Sequence, residues 1–470
     1  MNSVKSVSPV VLMDPFPAMG HVQAFLNLAD WMKELGYEVV FLTAPDYSAL
    51  VGSKGYRVIL VNPFLLIPER SEIEANGWIS LLAERLSGRR KPRLMEEMRT
   101  RRLEYVAATH TLSPSLVLLD DHFALKAYLY ERMCLPTVLV STMTLPHRAP
   151  GIPPFQSVRF PARSVFCRLL VRASWFRIDL TSWYNGLWKR LLLGNSRYQE
   201  VIRAKYRPSK LSLDTSRCFG IGINELPIIA TYPKSFDFAA PFHQGEKYYF
   251  GKLPEVLLGQ PLEDRRLHRV IDLAKSSGKK LIFCSLGTVT VTDLTICERF
   301  FNKVIRLASH MQDVFFVLSV GAYLDVRRLC KTPSNVAVFP SVAQKALLPQ
   351  VDLMIHHGGI NSIKECIAAG LPMLAYPLSL KWDQPGCAAR LVYLGLGQMG
   401  NIRKDSGVVI QQKIRHMLDH ATSYREAIRA FRHTMGTVNE LEHKRLADLL
   451  AETKLLYPTT QTKSHYYETV

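Results

Sequence analysis

His21, in the stretch FPAMGHV (16–22), follows an apolar run and opens a segment with helical spacing. A histidine titrates near neutral pH, so in a cleft it is the default general base. Far along the chain, LVLLDDHF (116–123) sets Asp120 at the end of another apolar run. A buried carboxylate there could hold a histidine in one tautomer and stabilise its charged form. The same histidine also suits a purely structural bond at a helix start, and Asp121 reads as a solvated neighbour of Asp120.

A second kind of chemistry is suggested by IHHGGINSIKEC (355–366). Two histidines and two glycines separate an apolar run from a helical pattern. Gly358 and Gly359 let backbone approach a ligand, Asn361 or Ser362 can cap the helix, and His357 can add a donor. The free N–H groups and partial positive charge of a helix start favour a phosphate. A plain tight turn before a capped helix accounts for the same residues equally well. CSLGT (284–288) ends another apolar run, so Gly287 and Thr288 can present an N–H and a hydroxyl to the same crevice. In KWDQPGCAAR (381–390), Asp383 and Gln384 stand side by side before a helix. An acid beside an amide can bind several hydroxyls, as a sugar requires; helix capping is the other reading.

These residues need elements to position them. PVVLMD (9–14), EVVFLT (38–43), SLVLLD (115–120) and PTVLVS (136–141) read as buried strands. HVQAFLNLADWMKEL (21–35) reads as a helix stopped by Gly36, and ALKAYLYERM (124–133) as another. After residue 265 the pattern restarts, with strands over 279–287, 313–320, 336–340, 352–357 and 372–377. Strand–helix alternation of this kind predicts an α/β fold of mainly parallel, doubly wound sheets. The expected organisation is a domain over 1–250, a Gly/Pro-containing linker over 251–264 and a second domain over 265–440. A C-terminal helix over 441–456 and a polar tail over 457–470 follow. Ligands of open parallel sheets bind at the carboxyl ends of the strands, where every residue named above lies. GLGQMG (395–400) matches a dinucleotide fingerprint in letters only, because a helical pattern precedes it where a strand is needed. Gly395 reads instead as a helix C-terminal glycine.

The bulk numbers limit partners. Apolar residues make up 48% of the 470 and charged residues 21%, as in a globular protein with sizeable cores. The net charge is +19, and 159–210 holds 12 Lys/Arg against Asp179 and Glu200, a local +10 (12 − 2). That segment also carries Trp175, Trp183 and Trp188, and its arginines alternate with apolar residues. Such a pattern suits a helix lying on an anionic membrane, and equally a core-packed helix with a basic solvent face. Aromatic–basic strand motifs of nucleic-acid binders are absent, so nucleic acid is not an expected partner. Eight scattered cysteines without metal spacing, and no secretory leader pattern, lead to an expected cytoplasmic location.

The segment 342–397, from VAQKALLPQVDLMIHHGG to LVYLGLG, resembles the nucleotide-sugar signature of the UDP-sugar-dependent glycosyltransferases of the GT-B fold. PFPAMGHVQAFLNLADWMKELGYEVVFLTAP (15–45) is similar to that family's N-terminal glycine–histidine segment. LPIIATYPKSFDF (226–238) with YYFGKL (248–253) resembles its approach to the linker. Within the family, GHVQAFLNLA, CSLGT and DQPGCAARLVYLGLG are most similar to bacterial zeaxanthin glucosyltransferases.

The resemblance implies two Rossmann-like domains facing each other across a cleft. It implies His21 as catalytic base and Asp120 as its partner. Gly287 and Thr288 would line the nucleotide site, Val342 and Gln344 would face the uracil, and Glu365 the ribose. His357, Gly359, Asn361 and Ser362 would hold the diphosphate, and Asp383 and Gln384 the donor sugar. The chain departs from the pattern at Ala24 and Lys252, where proline is usual, and at Val342, where tryptophan is frequent. Two extra residues stand between Pro377 and Asp383.

The expected reaction is inverting transfer of a hexose, glucose first, from a UDP-sugar co-substrate to a hydroxyl of a lipophilic small molecule. No further cofactor is expected, and no metal, since the chain has no D-x-D pair to hold one. The segment 159–210 adds an expected peripheral attachment to the inner face of a membrane. A UDP-sugar 2-epimerase on the same fold and a non-catalytic nucleotide-sugar or lipid-binding protein are the rival readings.

Overall fold

The computed structural model describes residues 8–61, 103, 105–162, 164–193, 209–214, 217, 219, 220, 222–238, 247–255, 264–287 and 294–456. In the first half the elements run β1 (Val10–Asp14), α1 (Met19–Glu34), β2 (Glu38–Thr43), α2 (Pro45–Ser53), β3 (Arg57–Leu60) and β4 (Leu116–Asp120). They continue with α3 (Ala127–Arg132), β5 (Thr137–Ser141), α4 (Val165–Leu193), a small antiparallel pair β6 (Leu213–Asp214) and β7 (Gly222–Ile223), β8 (Ile228–Ala230) and β9 (Lys247–Tyr249). Seven of these strands form one parallel sheet in the order β3-β2-β1-β4-β5-β8-β9. Strands β1, β4 and β5 are buried on both faces, which is why VVLM, LVLL and TVLV run without polar alternation.

The second half has α5 (Arg265–Ser276), β10 (Lys280–Ser285), α6 (Leu294–Ala308), β11 (Val314–Ser319), β12 (Val336–Phe339), α7 (Gln344–Leu347) and β13 (Leu353–His356). Then come α8 (Ile360–Ala369), β14 (Met373–Ala375), α9 (Gln384–Tyr393), β15 (Gly397–Met399), α10 (Gly407–Asp419) and α11 (Ala421–Leu456). Its sheet is also parallel, in the order β12-β11-β10-β13-β14-β15. Helix α5 starts where Asp264 accepts from the N–H groups of Arg266 and Leu267, a regular N-cap. Two Rossmann-like units result, each with the carboxyl ends of its central strands turned toward the other.

Several expectations shift in detail. The first helix begins at Met19, two residues before His21, so His21 lies inside its first turn. The stretch 124–133 is not one helix: a 3-10 turn over Asp121–Lys126 precedes α3. The final helix is longer than 441–456, starting at Ala421 and running 36 residues. Gly395 follows the end of α9 with φ of 69°, the left-handed conformation that stops a helix, and 397–399 is strand β15. Linker residues 256–263 and the tail 457–470 lie outside the described residues.

Two helices tie the units together. From α9, the buried Arg390 guanidinium pairs with the half-buried Asp237 at 2.6 Å, and Gly386 approaches the Phe155 carbonyl so closely that a Cβ there would collide with it. Helix α11 leaves the second unit and ends on the first. Its Asn439 amide donates to the Gly251 carbonyl at 2.9 Å, Glu442 pairs with Lys234 at 2.7 Å, and Leu446, Leu449 and Leu450 enter the apolar core beside Trp31 and Phe250.

Candidate active site

Three neighbouring strands of the first sheet deliver three side chains to one point. His21 follows β1, Asp120 is the last residue of β4, and Thr142 follows β5. Because β1 and β4 pair with Asp14 opposite Leu119, their ends are level and the side chains converge. His21 Nδ1 lies 2.8 Å from Asp120 Oδ2 and 2.7 Å from the Thr142 hydroxyl. His21 Nε2 has no hydrogen-bond partner among the described residues. Asp120 is fully buried and also accepts from the backbone N–H groups of Phe16 (3.2 Å) and His122 (3.0 Å). Burial alone would push its carboxyl up, but the facing His21 and His122 hold it well below the usual carboxylate range. This is the base–orienter geometry that the sequence suggests: a carboxylate on Nδ1 leaves Nε2 as the ring nitrogen able to take a proton.

Asp121 is the correction here. It is not a solvated neighbour but is buried, ion-paired to Arg217 at 2.6 Å and 3.2 Å from His122 Nδ1. The 3-10 turn after β4 swings residues 121 and 122 inward, which a strand's alternation does not predict. His122 Nδ1 also lies 3.0 Å from Asp120 Oδ1, so one carboxylate serves two histidines. The nitrogen and oxygen atoms of His21, Asp120 and His122 lie within 4.8 Å of one another, and the hydrogen bonds themselves account for that convergence. Below them Asp14 is buried against Lys126 (3.0 Å) and the Tyr130 hydroxyl (2.8 Å), a polar knot that pins the ends of β1 and the turn.

The second sheet contributes the opposite wall. Strands β10 and β13 pair with Ser285 opposite His356, which sets Gly287 beside His357. The His357 ring lies between Gly287 and Gly359, and a Cβ at either position would collide with the imidazole. Gly287 and Gly358 have φ of 73° and 84°, so both depend on glycine. Burial pushes His357 down to about 4, leaving the ring neutral with Nδ1 buried and without a partner. His356 points away: it is fully buried, its Nδ1 accepts from the Gly358 N–H at 3.0 Å, and burial next to His357 pushes it down to about 3. Helix α8 starts at Ile360 with Gly359 as N-cap and no side-chain cap, so Asn361 and Ser362 are not the cap. They occupy its first turn, where uncapped N–H groups can meet an anion. The Asn361 amide reaches across the cleft and donates to the Gly20 carbonyl at 3.0 Å, next to His21.

The remaining predicted residues divide. Gln344 donates to Glu365 Oε2 at 2.5 Å, and burial raises the Glu365 carboxyl. Val342 is half-buried just before α7. Asp383 and Gln384 come to the cleft but are engaged. Buried Asp383 accepts from the Thr144 N–H at 3.0 Å, and burial raises its carboxyl. Gln384 Oε1 accepts from Leu378 N–H (2.9 Å) and Ser379 N–H (3.0 Å), closing the loop that holds the two extra residues. Trp382, on that loop, reaches Phe219 (ring centroids 5.5 Å apart) and the His122 ring (6.2 Å). Thr288 lies outside the described residues. Sequence reasoning missed His122, Asp121, Arg217, Thr142 and Trp382. The doubled acid followed by histidine in LVLLDDHF was the available signal for the first two.

A family model described as UDP-glucoronosyl and UDP-glucosyl transferase matches residues 270–433. A zeaxanthin glucosyltransferase of Pseudescherichia vulneris is 37% identical over 128 residues, 25% of this chain and 27% of that protein. The NDP-glycosyltransferase YjiC of Bacillus subtilis (strain 168) is 24% identical over 397 residues, 82% of this chain and 83% of that protein. Among solved structures, the glycotransferase of kitacinnamycin superposes with a TM-score of 0.65 at 18% identity, over 95% of this chain and 99% of that chain; this likeness concerns the fold.

Proposed function

The chain is a glycosyltransferase of the UDP-glycosyltransferase family with the GT-B fold, and from this premise we propose that it transfers a hexose from a UDP-sugar to a hydroxyl of a lipophilic small molecule, with inversion. The observation that carries the reading is the meeting of the His21–Asp120 pair with the uncapped start of α8, joined by the bond from Asn361 to Gly20. An alcohol is a poor nucleophile, so a base must remove its proton as the new bond forms. His21 Nε2 does so while Asp120 holds Nδ1 and stabilises the imidazolium, help worth on the order of 10²–10⁴ in rate. On the other side of the anomeric carbon the diphosphate leaves with added charge. The first-turn N–H groups of α8 and the neutral His357 meet that charge. Glu365 and Gln344 take the ribose and the uracil edge. Glucose is the proposed sugar, and direct displacement assisted by helix N–H groups needs no divalent metal in the scheme.

His21→Ala is expected to lower kcat by about 10²–10⁴ with UDP binding retained. The assay is UDP release across several UDP-sugars crossed with lipophilic and soluble alcohols. Near-normal transfer by H21A would sink the base assignment, and a product with retained anomeric configuration would sink the displacement. Turnover of a UDP-sugar without any acceptor would point to an epimerase, and binding without UDP release in every acceptor to a non-catalytic protein.

The lipophilic acceptor is supported by α4. Phe166, Leu169, Phe176, Leu180, Trp183 and Tyr184 are all exposed on it, Phe176 by 68% and Trp183 by 64%. Only Val171 and Trp175 of this helix are buried among its described side chains. Arg168, Arg172 and Arg177 are interleaved with the exposed apolar residues, and Asp179 is paired with Arg148 at 2.5 Å. An apolar face flanked by arginines suits an anionic lipid surface. No helix among the described residues is long and apolar enough to cross a membrane; the attachment proposed is peripheral, on the cytoplasmic face. Sedimentation with phosphatidylglycerol-containing vesicles tests it. Binding that weakens with salt and with Phe176→Glu is expected; equal recovery with neutral and anionic vesicles would refute it.

A further inference from the structure

We infer that His122 is a positioning residue of the reaction: by sharing Asp120 with His21, it sets how readily His21 takes up a proton. The inference rests on His21 acting as the general base. His122 Nδ1 lies 3.0 Å from Asp120 Oδ1 and 3.2 Å from Asp121 Oδ1, and its own N–H also donates to Asp120. The two imidazoles meet edge-on with centroids 4.6 Å apart. They are therefore close enough for the charge of one to act strongly on the other through a poorly solvated region.

The charges around the cluster favour a protonated His122. Asp120 and Asp121 are both buried, and Arg217 balances only one of them. Burial of the His122 ring, whose Nε2 is buried without a partner, opposes its charge, but the hydrogen bond to Asp120 and the neighbouring Asp121 carboxylate outweigh it and raise the group to about 10. An imidazolium at 122 makes the group Asp120–Asp121–His122–Arg217 neutral before His21 reacts. Without it the group would carry one excess negative charge, and His21 would be drawn toward its protonated, inactive form. Other charged groups stand near this site, among them His147 paired with Asp214 beside Arg217. Asp14 is paired with Lys126, and buried Asp383 has its carboxyl raised. Phe16, Phe219 and Trp382 flank His122 and leave its side chain only 10% exposed, with centroids at 5.2, 5.8 and 6.2 Å. In this arrangement Asp120 orients His21, and His122 moderates how strongly Asp120 attracts the transferred proton.

The test compares pH profiles of kcat/KM for the full chain and two variants. His122→Asn keeps a donor near the Nδ1 position and removes the charge. The acid limb should rise by about one pH unit or more, since the carboxylates are then uncompensated. Asp121→Asn removes a negative charge, and the acid limb should fall by a similar amount. General loss of structure would lower the plateau without moving the two limbs in opposite directions. Limbs that stay with the wild type, or move the same way, overturn the inference. If H21A retains activity, the base reading fails instead, whatever these two variants do. Should the variants not fold, ¹⁵N-imidazole spectra of the wild-type chain decide the matter. The His122 ring, assigned through its contacts to Phe219 and Trp382, should be an imidazolium at pH ~8, and a neutral ring there overturns the inference.

Discussion

Adjacent histidines 356 and 357 face opposite ways, as successive residues at a strand end do. His357 sits between two glycines that leave room for its ring, with its Nδ1 buried and without a partner. His357→Ala should weaken UDP binding by about tenfold, the worth of one good hydrogen bond to a charged group, with little change in thermal stability. His356→Ala should do the reverse, since it orphans the Gly358 N–H and empties a buried site, costing about 1–3 kcal/mol of stability. Isothermal titration with UDP and thermal unfolding separate the two; equal loss of UDP affinity in both variants would contradict the division. His122 adds a pH dependence with a definite sign. Its folded value near 10 exceeds the ordinary value of 6.5, so its contribution is complete below pH ~6.5 and fades as pH rises toward 10. The unfolding midpoint of the wild type should therefore fall across that interval more steeply than that of H122N, as scanning calorimetry can record.

At the level of elements, α9 and the loop before it do what the family pattern did not predict. Two extra residues lengthen 377–383, and Gln384 ties the enlarged loop down through two backbone N–H groups. Asp383 is thereby turned onto the Thr144 N–H of the first unit, and Trp382 is carried to Phe219 and His122. Helix α9 so becomes part of the contact between units, at its closest where Gly386 meets the Phe155 carbonyl. Gly386→Ala should force that contact apart. Activity should fall at least tenfold, as expected for an ångström-scale misplacement of reacting groups, while UDP affinity stays near that of the wild type. Unchanged activity would mean that this close approach is not needed for turnover. The strands and most helices were legible because buried parallel strands leave continuous apolar runs, and VVLMD, LVLLD and LMIH admit little else. The places of His21, Asp120 and His357 were legible because each stands at or after the end of such a run. His122, Asp121 and Arg217 were not, because a 3-10 turn sets their direction and a distant segment supplies the partner. The loop of Trp382 was visible as an anomaly of spacing, but where it lands depends on the other unit.

For the whole molecule, the question is what makes two separate sheets act as one enzyme. The proposed reaction uses His21 from the first unit and the start of α8 from the second, so it requires their separation to be held through turnover. The Asn361–Gly20 and Asp383–Thr144 bonds and the Arg390–Asp237 pair join the two units directly. Helix α11 supplies a further tie. It starts on the second unit, passes Gly251 and buries Glu442 beside Lys234 and Arg445. It then inserts Leu446 and Leu450 into the core behind β1 and β2. Each leucine-to-alanine change there should cost about 2–5 kcal/mol, and the loss falls on the tie between units more than on either sheet. The wild type should therefore unfold in a single calorimetric transition that UDP shifts upward, since a ligand bound to the native state stabilises all that unfolds with its site. In Leu446→Ala/Leu450→Ala the transition should split, the first unit melting early and without response to UDP, the second melting later and still raised by it. Transfer activity should fall while UDP affinity persists, because the residues proposed to hold the donor lie in the unit that stays folded. A single transition in the double variant, lowered but still raised as a whole by UDP, would show that the direct contacts hold the units together without α11.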